Sequence, residues 1–205
     1  MGVPDRFVTE YPERCRQLLD MLEGPAREVD LIGSFALLVA SAAFNIPFAR
    51  MVEKAHPLGT PEEQLYDAIE GLKKQAFHKA TFWDGREPSF FRYARIMTSA
   101  EDSRRWQDAN GVPPLSSTET KDANTVLRTI RNALAHGNVV YLDKHGYETP
   151  GNRLVYLAFL SKHESGDGYR VAIFDEESFL AFLKAWIAWL QTFPPERVLF
   201  AEAAE

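Results

Sequence analysis

The hydrophobic period of this chain changes at Gly137, and that change narrows the folds open to it. Ahead of it apolar residues recur every three or four positions. Beyond it, β-branched and aromatic runs at 138–142, 153–160 and 169–174 are separated by turn-forming segments, Lys144-His145-Gly146 and residues 164–168. The first period builds helices with one buried stripe, and short runs broken by Gly and Asp build antiparallel hairpins. The expected class is mainly α: a helical bundle with a small three-stranded antiparallel sheet, closed by an amphipathic C-terminal helix over 176–192 that Pro194-Pro195 stops. No internal repeat or long linker divides the 205 residues. The reading is one domain over 1–205, helical to 137, with a β-meander and closing helix over 138–193.

Punctuation marks out the helical half. Pro12 suits the first turn of a helix carrying Cys15, Leu18, Leu19 and Leu22, which Gly24-Pro25 ends. Residues 26–43 are apolar nearly all round, as in an element surrounded by others, and Asn45-Ile46-Pro47 closes or kinks that helix. Thr60-Pro61-Glu62-Glu63 offers a capping hydroxyl, a first-turn proline and an early carboxylate ahead of Leu65, Ile69, Leu72 and Ala76, so a third helix is expected as far as residue 79. Asp84-Gly85 reads as a turn, 89–97 as a return to helix, and 110–114 as a loop. A further helix covers about 119–136, with Leu127, Ile130 and Leu134 inward.

Composition excludes several classes. With 23 basic and 29 acidic residues the formal charge is −6, which argues against coating nucleic acid through bulk charge. The one cysteine, Cys15, cannot form an intrachain disulfide or a zinc cluster. The N-terminal stretch alternates charge without an apolar run, so it does not read as a secretion signal. The uncharged segment 31–49 is near spanning length, but its firmly apolar part, 35–44, is too short to span, and a buried core helix is the better reading. No membrane association and a cytoplasmic location are expected. There is no HExxH, CxxC, GxSxG or P-loop, hence no sign of metalloprotease, redox, α/β-hydrolase or NTPase chemistry; no metal or cofactor is expected.

The segment that carries chemistry is 125–138. At about 100° per residue, Arg128, Asn132 and His136 share one helix face opposite the apolar stripe, with Arg131 at its border. Ala133 and Ala135 leave room for close approach. Gly137 supplies the left-handed residue that stops a helix, which puts His136 in the last turn, where the negative dipole end favours a cation. An imidazole, a permanent cation and an amide in one patch are equipped for proton transfer beside a phosphate. Spacing alone fits a solvated helix face equally well.

The run Arg131-Asn132-Ala133-Leu134-Ala135-His136 resembles the R-x4-6-H signature of the HEPN (higher eukaryotes and prokaryotes nucleotide-binding) superfamily, with a polar residue after the arginine. Gly137-Asn138, the strands, the Trp-bearing closing helix and the Tyr11-Pro12-Glu13-Arg14 helix resemble a bacterial, often plasmid-borne subgroup. Arg50 to His56 also fits the spacing, but Met51 follows that arginine and Pro57 that histidine, so it is set aside. The resemblance implies a metal-independent endoribonuclease in which a 2′-OH attacks the adjacent phosphorus to leave a 2′,3′-cyclic phosphate. His136 would move a proton, Arg131 would meet the phosphorane charge, and Asn132 would position its neighbours; Arg128 and Asn138 are substrate-binding candidates. It also implies a homodimer that joins two such helices, RNA as substrate, and a toxin or defence role with an antitoxin or other partner protein. The alternative is a catalytically silent HEPN-like domain that binds RNA, a nucleotide or a protein.

Two other features have paired readings. Arg92, Arg95, Arg104 and Arg105, interleaved with Phe90, Phe91, Tyr93 and Trp106, read either as a surface for stacking a single strand or as a helix whose aromatics turn inward. Trp186 and Trp189, with Phe179, Phe182, Leu183 and Leu190, read as core or interface. His78, His145 and His163 have no evident partners in the sequence.

Overall fold

A computed structural model describes residues 7–52, 63–96, 115, 120–162 and 168–193. The architecture is mainly helical, with one antiparallel sheet. In chain order the elements are α1 (Phe7–Glu28), α2 (Ile32–Ala40), a π-helical turn (Ser41–Asn45), α3 (Ile46–Val52), α4 (Glu63–Gly71), 3-10 turns at Leu72–Lys74, Phe77–Lys79 and Thr81–Trp83, β1 (Phe91–Ile96), α5 (Ala123–His136), β2 (Val139–Leu142), β3 (Tyr156–Lys162), β4 (Tyr169–Asp175) and α6 (Glu176–Leu190).

The sheet has four strands rather than the expected three, in the order β1-β4-β3-β2. The last three form the expected meander, and β1 adds to its β4 edge. Of residues 89–97, expected to be helical, Phe91–Ile96 form this additional strand. Phe91-Arg92-Tyr93-Ala94-Arg95-Ile96 alternates with period 2: Tyr93 is buried in the main core and Ile96 in the smaller cluster on the opposite face. Strand alternation therefore separates Arg92 from Arg95. Arg92 donates to the Leu115 carbonyl at 3.1 Å and lies over the Phe90 ring, whereas Arg95 stands on the helix-facing side. They do not form one stacking surface; Arg104, Arg105 and Trp106 lie outside the described residues.

Several helix limits also move. α1 contains both Pro12 and Pro25 and continues to Glu28. Its last turn is anchored because Arg27 donates to Glu23 within the helix and to Glu177 on α6, both contacts made by Nη2, at 2.8 and 2.7 Å. The chain then reverses at Asp30, whose φ is +57°. The apolar run continues past Pro47 to Val52 instead of stopping. Proline cannot donate, and the turn ahead of it widens so that the Ile46 N–H reaches the Ser41 carbonyl, five residues back. The third helix ends at Gly71, not near 79, because Gln75 is extended and residues 75–77 pair with 121–123. Thr60, Pro61 and Glu62 lie outside the described residues, as does residue 119, the expected start of the helix that begins at Ala123.

The stretch Ile32–Ala49 is long and apolar enough to cross a membrane by composition, yet half of it is buried inside the chain. Ala36, Val39, Ala40, Ala43, Phe44 and Phe48 belong to the core, and Phe44 packs against Phe182 and Trp186. Phe179, Phe182, Leu183, Trp186 and Leu190 are fully buried and Trp189 nearly so, which places the α6 aromatics in the core. Asp175 caps α6 by accepting the Ser178 amide, and the Ser178 hydroxyl in turn accepts the Phe90 amide at 2.8 Å, tying the approach to β1 onto α6.

Candidate functional site

α5 is held firmly at its start and left open at its end. Asp122 is the N-cap, its carboxylate accepting the Thr125 amide at 2.8 Å, and the Ala123 amide donates to Gln75. Val126, Leu127, Ile130 and Ala133 are buried, so the inward stripe includes Ala133, while Leu134 is only half-buried. The room expected at Ala133 is therefore filled by the core, and only Ala135 is exposed. Gly137 takes φ +68°, and both its amide and that of Asn138 point at the Ala133 carbonyl. A Cβ at Gly137 would meet nothing, so the left-handed backbone is what calls for glycine.

Of the five residues singled out in the sequence, Arg131, Asn132, His136 and Asn138 lie at the end of α5 or just past it, and Arg128 lies about two turns before His136. Arg128, His136 and Asn138 are exposed; Arg131 and Asn132 are half-buried. Arg131 Nη1 donates to Asn132 Oδ1 at 3.1 Å, and Asn132 Nδ2 donates to the Ser161 hydroxyl at 3.2 Å. The amide thus couples the guanidinium to the sheet. The His136 side chain is exposed and makes no hydrogen bond to the described residues. Asn138 is pinned through its backbone, whose carbonyl accepts the Leu160 amide at 3.0 Å.

Ser161 was not among the expected residues, although it carried a signal. On β3 the residues Leu157, Phe159 and Ser161 share the helix-facing side, and a buried hydroxyl ending an apolar row calls for a polar partner. Arg170 was also missed. It is the register partner of Ser161 on β4, and Arg95 is the register partner of Arg170 on β1.

A second organised feature is the β2–β3 loop. Asp143 accepts the amides of His145 and Tyr147 at 2.9 and 3.0 Å and the Asn152 side-chain amide at 2.6 Å. The Tyr147 amide first, then Asn152, hold its carboxyl down at about 2. A cavity of about 240 Å³ beside this loop is lined by residues including Tyr141, Tyr147 and Arg153 and contains none of the α5 residues. His145 is exposed in this loop, and His78 is half-buried; His56 and His163 lie outside the described residues. Among the described residues no group of three or more His, Cys, Asp or Glu side chains could hold a metal ion.

The family model described as HEPN pEK499 p136 matches residues 1–197. No curated protein and no solved structure matches the chain.

Proposed function

The chain belongs to the HEPN pEK499 p136 family, a plasmid-borne branch of the HEPN superfamily, and on that premise we propose that it is a metal-independent endoribonuclease acting at the open end of α5. The observation that carries the reading is the relay from Arg131 through Asn132 to Ser161, which presents a guanidinium within the last two turns before the exposed His136.

The reaction is an internal transesterification. The ribose 2′ oxygen bonds to the adjacent phosphorus as its proton leaves to a base, and the P–O5′ bond breaks as the 5′ oxygen gains a proton from an acid. A 2′,3′-cyclic phosphate and a 5′-hydroxyl result. His136 handles one proton, and Arg131 faces the charge that grows on the phosphorane oxygens. Asn132 orients that guanidinium, while Arg128 and Asn138 lie where flanking backbone would pass. A single imidazole leaves the second proton without a carrier, so the full site is a homodimer in which two α5 ends face each other. On a plasmid such an activity fits a toxin or defence component restrained by a partner protein.

The test is RNA cleavage in EDTA by the wild type and by His136→Ala. A loss of about 10² to 10⁴ in rate, with cyclic phosphate ends on the wild-type products, is the expected result. Equal rates would overturn the assignment. Sedimentation that shows a monomer at working concentration would overturn the composite site. The second reading, a silent RNA- or protein-binding domain, draws on one observation: within one chain no described group orients the His136 ring. RNA binding without cleavage by the dimer would select it.

A further inference from the structure

The register of the sheet carries the site beyond α5. Ser161, which holds Asn132, stands opposite Arg170, and Arg170 stands opposite Arg95. All three lie on the helix-facing side, because they stand two residues from Phe159, Ala172 and Tyr93 on their strands. They also lie at the end of the sheet where α5 finishes: its start is tied to Gln75 beside Phe77, whose ring meets Phe91 at a tilt and Phe174 edge-on at the other end. Neighbouring strands are about 4.8 Å apart, so the row from Ser161 to Arg95 crosses roughly 10 Å of sheet.

Like charges directly opposite on adjacent strands weaken a sheet. Arg170 is half-buried and Arg95 exposed on the outer strand. Arg170 keeps contacts of its own within the chain; its register and charge are what place it in the row. In a chain of net charge −6, cations from two strands thus stand in one row with Ser161, the residue that ties Asn132, and through it Arg131, to the sheet.

We propose that Arg170 and Arg95 form a phosphate-binding track that leads single-stranded RNA across the end of the sheet to the Arg131–His136 site. It rests on the ribonuclease reading for its substrate. Its contacts are to the backbone, so the track supplies affinity and direction, not base preference.

The experiment uses the full chain carrying His136→Ala, to prevent turnover, and a mixed-sequence single-stranded RNA titrated between 50 and 200 mM salt. Adding Arg95→Gln or Arg170→Gln is expected to weaken binding to unrelated sequences equally and to lower the salt slope by about 0.7 per contact removed. Arg153→Gln, exposed near the opposite end of the sheet, is expected to leave the slope unchanged. Affinity and slope unaltered in the exposed Arg95→Gln variant, or lowered as much by Arg153→Gln, would overturn the track, as would absence of RNA binding. If the wild type fails to cleave but the Arg95 and Arg170 variants lower the slope, the track stands and the nuclease reading falls. If cleavage is His136-dependent and the slope does not move, the reverse holds.

Discussion

On the helix-facing side of the sheet, β1, β4 and β3 carry Phe91, Phe174 and Leu157 at one level and Arg95, Arg170 and Ser161 four residues further along. The two levels are about 13 Å apart on the same strands. At the first, Phe174 is fully buried and its ring meets those of Phe77, Phe91, Phe179 and Phe182. At the second, a buried hydroxyl, a half-buried arginine and an exposed arginine lie across the sheet from one another. One end of the sheet is a ring-packed core, and the other carries the cations of the proposed track. α5 links them, capped by Asp122 over the aromatic end and finishing with His136 at the cationic one.

The sharpest way to separate the two ends is a pair of truncations. Phe174→Ala should destabilise the fold by about 3–5 kcal/mol, since a large ring leaves a void among rings that cannot collapse into it. For a chain of this size that lowers the melting temperature by roughly 6–20 °C. His136→Ala should cost about 10² to 10⁴ in cleavage and leave the melting temperature within about 1–2 °C, because the side chain is exposed. Calorimetry and a cleavage assay on both variants check the contrast. A His136→Ala variant that melts as early as Phe174→Ala would break it.

What was legible in the sequence was local. The Gly137 stop, the inward Leu127 and Ile130, the hairpin meander and the burial of Trp186 follow from near neighbours and appear as expected. The misreadings arose where a distant partner decides the conformation. Phe91–Ile96 has a period-2 pattern, but its partner strand lies about 75 residues later in the chain, and without that edge the aromatic and arginine content reads as well for a helix. Pro25 and Pro47 are punctuation in isolation; ion pairing to α6 and a widened turn carry the helices through them. Of the proposed site, Arg131, Asn132 and His136 are close in the sequence because they share the end of one helix. Ser161 is joined to Asn132 by a hydrogen bond, and Arg170 to Ser161 by strand register, and no window of sequence shows either link.

The Asp143 loop, which follows Leu142 beyond the aromatic end of the sheet, allows a pH test away from the proposed site. Its carboxyl is held at about 2 against an ordinary 3.8, so the folded state favours the charged form. The resulting stability is present in full above the unfolded value and is lost as pH falls through the folded one, that is between about 4 and 2. Asp143→Asn should remove that portion of the acid dependence and lower the melting temperature at pH 7, while cleavage keeps its wild-type pH profile. A pH profile of cleavage altered by Asp143→Asn would link the loop to the site.

A subtler probe is Ser161→Ala, which removes the partner of Asn132 Nδ2. One neutral hydrogen bond is worth about 0.5–1.5 kcal/mol, so if Asn132 positions Arg131, kcat should fall by about 2- to 10-fold with KM little changed. Ser161→Thr, which keeps the hydroxyl, should restore most of it. A merely structural serine would lower the melting temperature and leave kcat alone.

The smallest effect belongs to the surface pairing that carries α1 past Pro25. Arg27 bridges Glu23 and Glu177, and Lys184 also reaches Glu23 at 2.5 Å. Glu23 is half-buried, but Arg27, Glu177 and Lys184 are exposed, so water and salt screen the pairs, and Arg27→Gln should cost no more than about 1 kcal/mol. The loss should shrink when melting is repeated at about 1 M salt, where the screening length is near 3 Å. A larger, salt-independent loss would mean that the last turn of α1 supports α6 by packing instead of charge, and that the aromatic end of the molecule extends further than its rings.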